Sequence, residues 1–211
     1  MGAASRGYGP QGFAEDIDVS RETLDKLTLY ADELAKWQRA KNLVANSTIE
    51  DRWRRHFLDS AQLDSLIRQH FSAPIKILDI GSGAGFPGLV LSLMGLGSVE
   101  LVESNGRKCV FMNQIARQTG AQAKAVNERI EKLTPRPVDV VTSRACAKVE
   151  QLLIWAEPFL APASEMWLLK GEGVEEELTQ ARASWNMEIE RFKSRSSPDG
   201  VILRLSAIKK K

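Results

Sequence analysis

An α/β fold with a doubly wound, mostly parallel sheet is predicted by three features of the sequence. From residue 73 onward, short aliphatic and β-branched runs alternate with segments of helical period, the pattern of parallel strands joined by helical crossovers. The first run, Ile75-Lys76-Ile77-Leu78-Asp79-Ile80, passes directly into a glycine-rich turn, Gly81-Ser82-Gly83-Ala84-Gly85-Phe86-Pro87-Gly88. Near the end, two strand-like runs flank Ser197-Pro198-Asp199-Gly200, a turn sequence suited to a hairpin. Such a hairpin adds one antiparallel strand at or near a sheet edge.

Taken in order, residues 1–20 are rich in Gly, Ala and Ser, lack an apolar period and read as a flexible leader. Residues 21–72 read as a small helical appendage. Leu24, Leu27, Ala31, Leu34 and Ala35 recur at helical spacing, which predicts an amphipathic helix to about Arg39. Ser47-Thr48-Ile49-Glu50 has the Ser-x-x-Glu spacing of a capping box, so a second helix is predicted to start there. Its apolar side carries Trp53, Phe57, Leu58, Ala61 and Leu66. Residues 73–211 form the α/β domain. After the glycine turn, helices are predicted over 88–94, 108–119, 149–159 and 175–184. They alternate with strands over 99–103, 123–126, 138–143 and 165–170, and the closing strands lie at 187–192 and 201–208.

The composition narrows the function classes. The chain has 211 residues, 43% hydrophobic and 27% charged, as in an ordinary globular protein of one α/β domain. No apolar run reaches the ~18 residues of a membrane span, and the N-terminus lacks the basic-then-apolar order of a secretory signal. A cytoplasmic protein without a membrane partner is expected. Two cysteines, Cys109 and Cys146, and two histidines argue against a disulfide framework and a structural metal site. The net charge of +2 declares no nucleic-acid partner, but Arg52, Arg54, Arg55 and His56 cluster, and Lys209, Lys210 and Lys211 end the sequence. From charge alone, a phosphate-binding patch and a solvated helix face are equally good readings.

A strand, a glycine-rich turn and a helix make a general nucleoside-binding device. The spacing of Gly83, Gly85 and Gly88 also satisfies the dinucleotide fingerprint, a weak signal by itself, whereas the absence of Gly-Lys-[Ser/Thr] dismisses a P-loop. Asp79 turns the choice toward S-adenosyl-L-methionine: a carboxylate before the loop repels a pyrophosphate but suits a ligand carrying an ammonium and a sulfonium. Glu103 ends the second strand, where its carboxylate can accept both ribose hydroxyls, though it would serve NAD equally well. A methyltransferase is therefore the first reading and a nucleotide-dependent oxidoreductase the second. Asp79 has a bland alternative as a loop-capping carboxylate, and Glu103 one as a solvated strand end.

Several stretches together resemble one family. They are Lys41-Asn42-Leu43, Arg55-His56-Phe57-Leu58-Asp59-Ser60, the glycine loop with Leu78-Asp79-Ile80, and Leu101 to Lys108. Arg129-Ile130-Glu131, Thr142-Ser143-Arg144-Ala145 and Leu168-Leu169-Lys170-Gly171 complete the set. The chain resembles the RsmG family, also called GidB, the bacterial 16S ribosomal RNA guanine-N7 methyltransferases. That resemblance implies a Rossmann-like class I methyltransferase domain over residues 73–211. It implies a target guanine in the 530-loop region of 16S ribosomal RNA, with that RNA or the small ribosomal subunit as partner; the sequence does not reveal the oligomeric state, and a monomer is one reading. It further implies cofactor contacts at Gly81, Phe86, Ile130, Glu131 and Arg144; Gly83, on the same loop, is a further cofactor-binding candidate. Two departures, Val44 after Lys41-Asn42-Leu43 and Cys146 after Ser-Arg-Ala, remove no group assigned to chemistry.

Guanine N7 is an in-plane lone pair without a proton, so attack on a sulfonium methyl needs alignment rather than a general base. No residue is assigned as certainly catalytic. Arg144 and Lys170 are candidates for positioning substrate, and Arg144 could hold the methionine carboxylate, guanine O6 or an RNA phosphate. Asn42, Arg54, Arg55, His56 and Lys170 are candidate RNA contacts. Asp59 and Ser60 have a structural reading, pinning the helical appendage to the sheet. Cys146 keeps a minor reading as a thiol nucleophile against that of a small buried residue. A non-catalytic RNA-binding protein that kept the fold is a further alternative.

Overall fold

In the computed structural model, described over residues 7–211, a seven-stranded sheet has the order β3-β2-β1-β4-β5-β7-β6. The strands are β1 (Ile75–Ile80), β2 (Gly97–Val102), β3 (Ala123–Val126), β4 (Val138–Arg144), β5 (Leu160–Lys170), β6 (Trp185–Lys193) and β7 (Val201–Lys210). The first five pair in parallel, and β7 runs antiparallel to both of its neighbours, β5 and β6. The single antiparallel strand therefore sits one place inside the edge. β6 takes the edge, and the hairpin folds β7 back into the gap beside β5. Buried on both faces, β1 and β4 read as nearly continuous apolar runs, which made them visible in sequence.

The helices are α1 (Pro10–Asp16), α2 (Arg21–Gln38), α3 (Asp59–Ile67), α4 (Gly88–Leu93), α5 (Gly106–Thr119), α6 (Val149–Ala156) and α7 (Val174–Ser184). One apolar cluster joins β1 and β2 to α4, α5 and the N-terminal helices, through Tyr30, Phe57, Ile77, Leu89 and Phe111. A second holds α6 and α7 with Leu78, Val141, Leu168 and Leu203. Residues 21–72 share their core with the sheet.

Two expectations for the N-terminal third need correction. Residues 10–16 are a helix, not a flexible leader: Phe13 is fully buried and its ring centroid lies 5.4 Å from that of Trp53. One aromatic anchor supplies the burial that the Gly/Ala/Ser composition concealed. Residues 1–6 lie outside the described part. The capping box is not formed either. Asn46–Thr48 make an isolated 3-10 turn, and the next helix opens at Arg52–Trp53, where Arg54 and Arg55 donate to the Asp51 carbonyl. Trp53–Leu58 is π-helical and runs without a break into α3. Such wide turns concentrate at functional sites. Among the described residues no helix is long and apolar enough to cross a membrane.

Candidate active site

Strands β1 and β4 are adjacent, yet the chain leaves β1 toward β2 and leaves β4 toward β5, in opposite directions along the sheet. A crevice must open outside their carboxyl ends. A cavity of about 540 Å³ lies there. Its walls are the glycine loop, Glu103 after β2, Ile130 and Glu131 after β3, Arg144 to Cys146 after β4, and His56 from the π-helical turn.

The loop is held from below by the end of β2. Gly81 and Ser82 donate their amides to the Val102 carbonyl at 3.0 and 3.1 Å. Glu103 accepts the Gly83 amide at 3.0 Å and the Asn105 amide at 2.8 Å, leaving its carboxylate on the cavity wall. Gly81 has φ +69°, and a Cβ there would fall 2.8 Å from the Cys146 Cβ and closer still to its Sγ. Gly81→Ala is therefore expected to push the 144–147 segment outward. Calorimetry should show at least a tenfold loss of S-adenosylhomocysteine affinity, partly recovered in the double variant Gly81→Ala, Cys146→Gly. Unchanged affinity in the single variant would refute this coupling.

Asp79 lies beneath the loop. It is fully buried and absent from the cavity wall. One oxygen accepts the Thr142 hydroxyl at 2.7 Å and the other the Gly88 amide at 3.3 Å. The amide reaches it because residue 88 has no side chain: a Cβ would stand 2.8 Å from the Asp79 Cβ. Burial raises the Asp79 carboxyl to a pKa of about 6, only partly offset by these hydrogen bonds and by the Arg144 charge. Asp79 thus stands in the loop-capping position, one of its two expected readings.

Phe86 is held in a stack. The Tyr30 ring lies nearly parallel to it at 5.1 Å and the His56 ring at 5.0 Å, with the Arg144 guanidinium 5.0 Å from its centroid. Tyr30, which sequence reasoning marked as neither ligand nor anchor, donates its hydroxyl to the Ala84 carbonyl at 2.5 Å and so ties α2 to the loop. Its partner is 54 positions away, beyond the reach of helical periodicity.

Arg144 closes one side of the cavity through a directional chain of hydrogen bonds. Its Nη1 donates to the Arg55 carbonyl at 3.0 Å and to His56 Nδ1 at 2.9 Å, and lies 3.5 Å from Asp59 Oδ2. A guanidinium can only donate, so His56 Nδ1 accepts and its proton sits on Nε2. Nε2 then donates to Thr48 Oγ1 at 2.8 Å, and Thr48 donates to the Ala45 carbonyl at 2.7 Å. Burial, followed by the charges of Arg144 and Arg55, depresses His56 to a pKa of about 3 and keeps it neutral. Among the described residues Arg144 Nη2 and Nε have no hydrogen-bond partner, and its side chain lines both this cavity and a neighbouring cleft. The next residue, Ala145, has φ +45°, a strained conformation for a side-chain-bearing residue at a site wall.

The neighbouring cleft, about 400 Å³, shares Arg144, His56, Thr48 and Ala145 with the cavity. Its far wall is the turn between β6 and β7. The candidate RNA contacts divide around it. Arg55 is exposed on its rim. His56 faces inward in the Phe86 stack. Arg54 turns away and lies 4.2 Å over the Tyr8 ring. Asn42 is exposed beside Lys41, Arg107 and Lys108 around a separate, smaller pocket. Lys170 lines this cleft with its ammonium engaged within the protein: the side chain is 6% exposed, donating to the Ala147 carbonyl at 2.7 Å and pairing with Glu177 at 2.7 Å. It fixes the 144–147 segment. Asp59 pins the appendage as expected, accepting from Ser196 at 2.5 Å. Cys146 is an exposed residue on the cavity wall rather than a buried one, yet partial desolvation of its thiol, followed by the charges of Asp79 and Glu103, raises its pKa and opposes a thiolate. No cluster of metal-ligating side chains occurs among the described residues.

Known proteins resemble this arrangement at two levels. The family model described as rRNA small subunit methyltransferase G, GidB, matches residues 23–199. The chain is 49% identical over 200 residues to the ribosomal RNA small subunit methyltransferase G of Rhodospirillum rubrum, covering 94% of this chain and 98% of that protein. Against the protein of the same name from Paramagnetospirillum magneticum it is 47% identical, covering 95% and 96%. Two solved structures share the fold alone. The plantazolicin methyltransferase BpumL, in complex with SAH, has a TM-score of 0.58 at 16% identity, covering 95% of this chain and 100% of its own. The ribosomal protein L11 methylase of Lactobacillus delbrueckii subsp. bulgaricus has a TM-score of 0.57 at 16% identity, covering 72% and 78%.

Proposed function

The chain belongs to the GidB family, the rRNA small subunit methyltransferases G, and from that premise we propose that it methylates N7 of a guanine in the 530-loop region of bacterial 16S ribosomal RNA. S-adenosyl-L-methionine, when bound, supplies an electrophilic methyl on a sulfonium. The single observation that carries the reading is the pair of chambers joined at Arg144: one suits a nucleoside, and the other is polar and open beside it.

The residues present fit the cofactor. Glu103 stands after β2 with its carboxylate on the wall, where ribose hydroxyls can donate to it. Ile130, 6% exposed, gives an apolar surface for the adenine, and Glu131 borders it. Gly81 and Gly83, both at positive φ, bring backbone rather than side chains to the wall. Phe86 contributes through its stack, which holds the loop and the Arg144 guanidinium in register.

Three groups that could have served as bases beside Arg144 are engaged, protonated or sealed off, in agreement with the chemistry. The His56 lone pair is already used on Nδ1, Cys146 stays a thiol, and Asp79 is sealed beneath the loop. N7 carries no proton to remove, so orientation and exclusion of water do the catalytic part. The enzyme acts as a cytoplasmic monomer on the small ribosomal subunit. Mass-spectrometric or primer-extension mapping of 16S ribosomal RNA, with and without the gene, tests the assignment. N7-methylguanine is expected to disappear from the 530 loop without it; an unchanged content overturns the reading.

A further inference from the structure

The second cleft has an electrostatic polarity that the methyl-transfer reading leaves unused. At the wall shared with the cofactor cavity stands Arg144, a pure donor whose Nη2 and Nε have no partner among the described residues. On the part that the cavity does not share stands Asp199, a pure acceptor when ionised. Two other charged groups of this cleft are already engaged: Asp59 accepts from Ser196 and Gln62, and Lys170 is paired with Glu177. Asp199 makes no hydrogen bond within the described part of the protein, and it is exposed to the cleft.

Its wall is built rather than loose. Gly200 donates its amide to the Ser197 carbonyl at 3.1 Å, and Ser194 donates to the Gly200 carbonyl at 3.0 Å, closing the turn. The Arg195 amide donates to Gln62 Oε1 at 2.8 Å, and Ser196 donates to Asp59. The turn is thus bolted to α3, directly after the π-helical turn that holds Arg144. Donor wall and acceptor wall belong to one framework.

Guanine has matching edges. O6 and N7 accept on one side, while N1–H and the N2 amine donate on the other. Resting on the proposed guanine-N7 activity, we infer that the second cleft holds the acceptor guanine and that Asp199 is the residue that reads its Watson–Crick edge. With N7 turned to the cofactor cavity, O6 meets the Arg144 guanidinium and the N1–H and N2 donors meet the Asp199 carboxylate. Adenine in the same pose places its N6 donor against the guanidinium and its N1 acceptor against the carboxylate. Both contacts are then repulsive, so the cleft selects against it as well as for guanine.

The test measures kcat/KM for the full chain on small subunits carrying guanine or inosine at the target position, inosine lacking only the N2 amine. Wild type is expected to lose about tenfold or more with inosine, the worth of a hydrogen bond to a charged acceptor. Asp199→Asn, which keeps a residue suited to the turn, is expected to lose at least as much with guanine and to show little further loss with inosine. Its S-adenosylhomocysteine affinity should match wild type. An inosine penalty equal in wild type and variant overturns the inference, as does wild type that ignores the missing amine. Wild type that methylates neither substrate overturns the proposed activity and the inference with it, and so is distinguishable from failure of Asp199 alone.

Discussion

Asp79→Asn is expected to make the protein more stable than wild type at pH 7.5 while leaving cofactor affinity within a few-fold. The reasoning starts from burial. The carboxyl has a pKa of about 6 in the fold, against about 3.9 in an unfolded chain. A group raised in this way favours folding in its protonated form. Its stabilising contribution is complete below pH ~4 and is lost as pH rises through about 6. Two pKa units correspond to about 3 kcal/mol. Asparagine is neutral throughout and avoids that loss, yet it can accept from the Gly88 amide through its oxygen and donate to Thr142 through its nitrogen. The stability difference between variant and wild type should therefore widen from pH 4 to 7 in denaturant titrations. Asp79→Ala is a different matter: two buried donors lose their acceptor, at about 1–3 kcal/mol each. If Asp79→Asn abolished S-adenosylhomocysteine binding without changing stability, the carboxylate would have to face the ligand after all.

Legibility from sequence followed the range of the interactions involved. The strands and the glycine loop were readable because a buried parallel strand is a contiguous apolar run and a tight turn has local glycine chemistry. Glu103 and Ile130 come to line the cavity because they follow β2 and β3 at the carboxyl end of the sheet. Side-chain direction was harder. Asp79 belongs to a strand buried on both faces, so its position in the run did not reveal that its carboxylate points at Gly88 and Thr142. Lys170 looked available because its partners, Ala147 and Glu177, lie on separate elements. The wall of the second cleft was invisible for the same reason. It depends on Gln62 meeting Arg195 and Asp59 meeting Ser196, pairs more than a hundred positions apart. The Arg-His-Phe-Leu-Asp-Ser motif carried that information only as a pattern, in which the structure distinguishes a rim residue, a clamp, core and an anchor.

His56 is expected to give the opposite pH response, and its replacement the second large effect. Its pKa falls to about 3 in the fold, against about 6.5 unfolded. A depressed group contributes stability that is complete above pH ~6.5 and is lost as pH falls toward 3, at about 1.4 kcal/mol per unit. Between pH 4 and 6 this loss on acidification opposes the gain from Asp79, so these two contributions nearly cancel in wild type. Asp79→Asn should then lose stability with acid across that window, and His56→Phe should gain it. The activity effect is separate. Phenylalanine can keep the stack on Phe86 but offers Arg144 Nη1 no acceptor, and the chain through Thr48 to Ala45 ends. A guanidinium displaced by about 1 Å costs on the order of 100-fold in methyl transfer. S-adenosylhomocysteine affinity should change far less, because Glu103, Ile130 and the glycine loop are untouched. His56→Gln, whose amide oxygen can accept from Arg144, should recover part of the loss. Arg144→Lys should not, since an ammonium cannot reach His56 and Arg55 while keeping a planar fork toward substrate. Equal activity in His56→Phe and wild type would show that Arg144 holds its orientation through Asp59 and the Arg55 carbonyl alone.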